Sequence, residues 1–228
     1  MPKSLHIDGH PIPYQAGQTV LQAALAAGLK IPHLCYQPEL EPIGSCRLCL
    51  VELGGRTLSA CTLAAAQGQA VTSDSPRLRK LRTGLVVMLL EQGRHTCTRC
   101  ERTGDCRLQE AAAELDAPAV QSRTDQDIPE RDDSHADVAL DRGRCILCGV
   151  CIQASRVLDG KDLFSFSGKA GKACLVVESD TGLLKDSAIA AADHAVRLCP
   201  VGALILKSGQ AEPVGFSSFD FFDATDWN

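Results

Sequence analysis

No block of arginine and lysine interrupts this 228-residue sequence, in which 23 basic and 28 acidic residues are interspersed for a net charge of -5. Phosphate backbones are recognised by clustered positive charge, so nucleic acid is not expected as a partner. The N-terminus, MPKSLHIDGHPIPY, lacks a charged-then-apolar leader. No apolar run approaches the roughly 20 residues that span a bilayer. A cytoplasmic protein without a membrane span is the expectation. Proline-rich or serine-rich low complexity and fixed-period repeats are also missing. The glycine-rich pieces, Gly54-Gly55 and SGKAGKA, match neither the dinucleotide fingerprint G-x-G-x-x-G nor the P-loop.

Cysteine, by contrast, is abundant, with twelve residues. Without a secretory signal a disulfide framework is not expected, because the cytosol keeps thiols reduced, and metal ligation becomes the default reading. The length allows one to three domains, so the cysteine spacing has to define the architecture.

Residues 1 to about 75 open with a hairpin, Leu5 to Ile7 and a second stretch to Tyr14 across Asp8-Gly9-His10. A helix follows in TVLQAALAAGL, with Thr19 as N-cap and Gly28 near its end. LCLVEL and RTLSAC flank Gly54-Gly55 as a second hairpin. A long helix starts at SDSP, capped by Asp74 or Ser75 with Pro76 in its first turn, and is expected to bury Leu78, Leu81, Leu85 and Leu89. Its basic run, Arg77 to Arg82, reads as a solvated face. A short helix covers Leu108 to Leu115, and Pro118 to Asp137 reads as a polar linker. Beyond it lie a tight cysteine run, the strands LFSFS and CLVVE, and an alanine-rich helix expected from about Ser187 to Leu198 before Cys199-Pro200. The last residues hold four of the six phenylalanines and the only tryptophan, which favours docking on this chain or on a partner.

Three ligand sets emerge. Cys35, Cys46, Cys49 and Cys61 are spaced C-x10-C-x2-C-x11-C, and four thiolates suit either tetrahedral zinc or an iron-sulfur cluster. Gly44 and Ser45 beside the cysteines point to [2Fe-2S], where backbone must approach the sulfides and donate N–H bonds. Cys145, Cys148 and Cys151 form C-x2-C-x2-C, completed by Cys199 before Pro200 in the manner of bacterial ferredoxins, which predicts a [4Fe-4S] site. A two-cluster ferredoxin would carry another cysteine four residues after Cys151, where this chain has Ser155, so one cluster is expected there. Between these sets, Cys97, Cys100 and Cys106 are one ligand short of a cluster. A neutral imidazole can take the missing iron, and His95 is the histidine close by, two residues before Cys97 and on its face if the backbone between them is extended. Imidazole for thiolate removes one negative charge and should raise the potential, as in Rieske centres.

Taken in order, IPHLCY, GSCRLCLVE, HTCTRCERTGDCRLQ, RCILCGVC and CPVGAL resemble the small iron-sulfur subunit of the diaphorase module in NAD-reducing nickel-iron hydrogenases. That subunit is in turn similar to the N-terminal part of the large iron-sulfur subunit of respiratory complex I. Two departures stand out. Complex I members usually place the histidine where this chain has Gly93, and many related chains carry a second ferredoxin cluster. The resemblance implies an α+β chain with a β-grasp [2Fe-2S] ferredoxin-like domain (1–75) and a small helical [4Fe-4S] unit (76–117) ligated by one histidine and three cysteines. A linker (118–137), a one-cluster [4Fe-4S] ferredoxin-like domain (138–210) and a partner-docking tail (211–228) would complete it. It implies an electron-relay subunit in a hetero-oligomer, with FMN and NAD on a flavin-binding diaphorase subunit, hydrogenase small and large subunits beyond, and no catalytic residue in this chain. The same relay could serve a formate dehydrogenase, an [FeFe]-hydrogenase or complex I. A zinc-binding scaffold is the alternative from another class.

Outside these sets, Cys174 reads as a small buried hydrophobe and His33 as a residue near an already complete set. Arg47 and Arg144, each beside a cluster cysteine, read either as solvated or as offsets to thiolate charge.

Overall fold

The computed structural model describes residues 3–97, 100–118, 131–169 and 172–207. The tail expected at 211–228 and most of the 118–137 linker lie outside them.

In the N-terminal unit, β1 (Ser4–Ile7) and β2 (His10–Pro13) pair antiparallel across Asp8-Gly9, whose φ values of 52° and 85° are those of a hairpin turn. Helix α1 (Val20–Ala26) is held by a capping box between Thr19 and Gln22, and Gly28, at φ 78°, lies just beyond its end. Strands β3 (Leu50–Leu53) and β4 (Arg56–Ser59) turn on Gly54-Gly55, at φ 56° and 77°. With β5 (Ala70–Thr72) the strands form a sheet of order β2-β1-β5-β3-β4, parallel only between β1 and β5. Val20, Leu21, Ala23 and Ala24 of α1 share one core with Leu5, Ile7, Val51 and Val71 of the sheet.

Helix α2 (Pro76–Gln92) is capped by the Ser75 hydroxyl, which accepts from the amide of Leu78. Its buried face differs from the expected one: Leu78, Arg82, Val86 and Leu90 point inward, while Leu81 is 40% exposed and Leu85 and Leu89 are only partly buried. The face turns because Arg82 is buried. Its guanidinium donates to the carbonyls of Leu48 (3.2 Å), Leu50 (2.6 Å) and Ser73 (2.8 Å). A basic run expected in solvent thus contributes a core residue. Helix α3 (Arg107–Glu114) packs on α2.

The C-terminal unit is built on β6 (Val138–Leu140) paired with β9 (Leu204–Leu206), on α4 (Val150–Val157) and on the hairpin of β7 (Phe164–Ser167) and β8 (Cys174–Val177). Helix α4 was not expected from the sequence. Conversely, the helix expected from Ser187 shrinks to α5 (His194–Arg197), preceded by a single 3-10 turn at Leu184–Asp186. Carboxylates capture the amides that would have started it earlier. Asp193 accepts from Ala190 N and is paired with Lys161 Nζ (2.7 Å), and Asp159 accepts from the amides of His194 (2.8 Å) and Ala195 (3.0 Å). Residues 131–137, expected in the linker, pack on this unit: buried Asp132 bridges to Leu140 and accepts from Leu184 N at 2.9 Å.

A second core runs through all three stretches of chain, joining Leu34, Cys35 and Leu48 to Val86, Leu90, Leu108, Val138, Cys148 and Cys199. Units this small bury too little alone, and sharing one interior supplies the deficit.

Candidate metal centres

All twelve cysteines are free thiols. Cys35 lies in the loop after α1, Cys46 and Cys49 in the loop before β3, and Cys61 two residues after β4; all four are buried. They meet two by two. The Cys46 thiol and amide both donate to the Cys35 sulfur, the amide at 3.5 Å, which pulls Cys35 down to about 5 and pushes Cys46 up. The Cys49 thiol donates to Cys61 in the same way, raising the first and lowering the second. Gly44 lies against this set, since a Cβ there would stand 3.3 Å from Thr62 Cγ2 and 3.9 Å from Cys61 Sγ. Arg47 takes a left-handed conformation, φ 57°, inside C-x2-C, and its guanidinium donates to Ser59 Oγ at 3.1 Å.

His95, Cys97, Cys100 and Cys106 line one hollow, together with Leu108, Arg144 and Gly202. Cys106 stands at the head of α3, and the Thr103 hydroxyl ties the Cys97 and Cys100 carbonyls at 2.9 and 2.7 Å. The amide of Arg102 donates to Cys100 Sγ at 3.5 Å. His95 Nε2 is buried and has no hydrogen-bond partner, an arrangement costly for a polar atom unless a ligand completes it. Burial first, and the charge of Arg144 second, lower the imidazole below its ordinary range. The ring is therefore neutral near pH 7, the form that binds metal. Gly93 makes room for it: a Cβ there would lie 2.8 Å from His95 Nε2 and closer still to the Gly143 carbonyl.

Cys145, Cys148, Cys151 and Cys199 surround a third, apolar hollow, walled by Phe166, Leu175, Pro200 and Leu204. Leu147, at φ 52°, is left-handed as Arg47 is in the first set, and its amide donates to Cys145 Sγ at 3.4 Å. Gly149, at φ 77°, starts α4 and carries Cys151 into its first turn. Burial pushes Cys145 up to about 12 and raises Cys148 and Cys151 well above the ordinary thiol range. Ser155, where a second cluster's ligand would stand, is fully buried and engaged: its hydroxyl donates to Lys161 O (2.8 Å) and accepts from Leu163 N (3.0 Å). Cys174 opens β8, half-buried and outside all three sets.

Ser45 Oγ, in the first loop, donates to the carbonyl of Cys148 at 2.8 Å, and Gln37 Nε2 donates to Leu198 O, beside Cys199, at 3.2 Å. On the other side, Arg107, next to Cys106, donates its amide to Pro200 O at 3.0 Å, and Arg144, next to Cys145, lines the His95 hollow. The C-terminal set touches both of the others. Spacing could not show this, because each bridge joins residues far apart in sequence. Among the described residues, no three histidine, cysteine or acidic side chains gather closely enough for a single metal ion; the thiols of the second and third sets stand around hollows instead.

Comparison with known proteins matches residues 2–76 to a 2Fe-2S iron-sulfur cluster binding domain and residues 82–120 to the NADH-ubiquinone oxidoreductase-G iron-sulfur binding region. Residues 138–206 match a 4Fe-4S single cluster domain. The mitochondrial NADH dehydrogenase iron-sulfur protein 1 of Solanum tuberosum is 30% identical over 97% of this chain, which spans only 30% of that protein. A chain in the crystal structure of an NAD+-reducing [NiFe]-hydrogenase in the H2-reduced state superposes with a TM-score of 0.86 at 44% identity, covering 91% of this chain and 88% of that one. The gamma subunit of the NAD-reducing hydrogenase HoxS from Cupriavidus necator is 33% identical over 94% of this chain and 92% of its own length. With near-complete coverage on both sides, the chain belongs to the family of NAD-reducing hydrogenase gamma subunits.

Proposed function

We propose that this chain is the electron-transfer subunit of an NAD-reducing hydrogenase, relaying electrons between a flavin- and NAD-binding diaphorase subunit and the hydrogenase small and large subunits. The observation that carries the reading is the contact of three ligand sets within one chain, joined by Ser45 to Cys148 and by Arg107 to Pro200. Electron transfer needs short separations between carriers, and direct hydrogen bonds between the loops that carry the sets favour them.

Cys35, Cys46, Cys49 and Cys61 are assigned a [2Fe-2S] cluster in a β-grasp domain; their pairing, Cys35 with Cys46 and Cys49 with Cys61, offers two thiols to each of two irons. His95, Cys97, Cys100 and Cys106 are assigned one [4Fe-4S] cluster, supported by the unpartnered Nε2, and Cys145, Cys148, Cys151 and Cys199 another. Bound there, such clusters supply one-electron carriers. The chain's own residues fix the ligands, exclude water from the apolar third hollow, and aim the amides of Cys46, Arg102 and Leu147 at sulfur, where they stabilise negative charge. FMN and NAD belong to a partner, in keeping with the missing nucleotide fingerprints. No described helix is long and apolar enough to cross a membrane, and we place the complex in the cytoplasm.

Metal analysis with EPR on the anaerobically purified native complex tests this. About ten irons per copy of this chain, after subtracting those on partners, with nickel in the complex, is the expected result. Iron with a quinone-reducing complex and no nickel would move the chain to a complex I-like assembly; zinc without iron would overturn the electron relay.

A further inference from the structure

Arg144 immediately precedes Cys145 in the chain, yet its side chain belongs to the other [4Fe-4S] hollow, which it lines beside His95 and Cys97. The guanidinium is fixed. Its Nη1 lies 3.0 Å from Glu101 Oε1 and its Nε 3.1 Å from Asp141 Oδ2, and the side chain is 14% exposed. Each carboxylate is itself anchored, Glu101 by Arg131 at 2.6 Å and Asp141 by Arg94 at 3.4 Å. Gly202 keeps the space open, since a Cβ there would stand 3.3 Å from Arg144 Nη1. The site it faces carries three thiols and a neutral imidazole, so a fixed positive charge there weighs against a smaller negative total than beside four thiolates. The charge acting on His95 and Cys97 comes in part from Arg144, whereas at Cys145 the arginine among the leading influences is Arg142.

We infer that Arg144 is a positioning residue for the electrostatics of the His95 centre, raising the reduction potential of the cluster held there while its chain neighbour Cys145 serves the adjacent centre. This rests on the cluster assignment proposed above. On reduction the His95 centre gains one electron and one unit of negative charge; no bond forms or breaks and no proton moves. A cation held close favours that state, in proportion to how little water screens it. Glu101, paired with Arg144 and one residue from Cys100, acts in the opposite sense.

The test is an EPR-monitored potentiometric titration of the whole hydrogenase complex carrying Arg144→Gln, Arg144→Lys or Glu101→Gln. The His95 centre is identified as the signal whose histidine nitrogen coupling vanishes in His95→Cys. Expected are a downward shift of that signal in Arg144→Gln, an upward shift in Glu101→Gln, recovery toward wild type in Arg144→Lys, and an unmoved [2Fe-2S] signal. If Arg144→Gln fails to hold its cluster, the upward shift in Glu101→Gln and the near-wild-type potential of Arg144→Lys still decide. Unchanged potentials, or shifts of the same sign in Arg144→Gln and Glu101→Gln, overturn the inference, because loosened packing has no reason to follow the sign of the charge. A wild-type complex with no signal showing histidine coupling would instead show that the cluster assignment has failed.

Discussion

Replacing Arg82 by methionine should loosen the first cysteine set specifically. The side chain is 3% exposed and its guanidinium holds three carbonyls, Leu48 and Leu50 on either side of Cys49, and Ser73 after β5. Hydrogen bonds from a charged donor contribute about 1.5–3 kcal/mol each, and the methionine leaves three acceptors without this partner. Part of that loss is offset because a buried cation is no longer desolvated, the same penalty that lowers the guanidinium's pKa. Methionine retains most of the aliphatic stem, so the cavity contribution is small. The net cost is about 3–5 kcal/mol. Anaerobic urea unfolding, followed by the [2Fe-2S] signal and by far-UV circular dichroism, measures it. The first cysteine set should fail at lower denaturant than the other two, with Arg82→Lys in between, because one ammonium cannot reach all three carbonyls. A midpoint equivalent to a change below about 0.5 kcal/mol, the range of an ordinary surface substitution, would refute the reasoning.

Gly93→Ala should cost about 1–3 kcal/mol through overpacking and distort or abolish the EPR signal of the His95 centre, because the added methyl meets both Gly143 O and the imidazole. His95→Cys should retain a cluster at lower potential in a redox titration, one negative charge having been added. Ser155→Ala should cost about 2–4 kcal/mol in urea unfolding, since Lys161 O and Leu163 N lose their partner, with iron content unchanged. Ser155→Cys should also leave the iron count unchanged, because three further ligands for a second cluster are missing and the hydroxyl's site is a brace closed by the chain itself.

Short-range features were readable from the sequence. Asp8-Gly9 and Gly54-Gly55 dictate their hairpins, and Thr19 and Ser75 their caps, because each is decided within a few residues. The members of the second and third sets singled out by spacing line two hollows in the structure, and the cysteines of the first set meet in pairs. What escaped was decided at long range. The inward face of α2 turns on carbonyls 32 and 34 residues from Arg82. The helix expected at Ser187 is cut back by Asp159, 35 residues away from His194. The sets are joined by contacts such as Ser45 to Cys148, 103 residues apart.

The pairing of β6 with β9 also sets a timetable for biogenesis. The sheet of the N-terminal unit is complete once β5, ending at Thr72, has been made, so its strands can pair while the rest of the chain is still being translated, although Arg82, which holds the carbonyls on either side of Cys49, follows only in α2. Nothing comparable holds for the other two. The third set lacks its last thiol until Cys199 emerges, and the His95 hollow lacks a wall until Gly202 does, although its histidine and thiols end at Cys106. A cluster-loading machinery that meets the nascent chain therefore finds the middle thiols long before their pocket exists. Chains truncated ahead of Cys199 would carry six cysteines of the second and third sets in two unfinished sites, and such products should be recognised by quality control as unmetallated rather than as merely shortened.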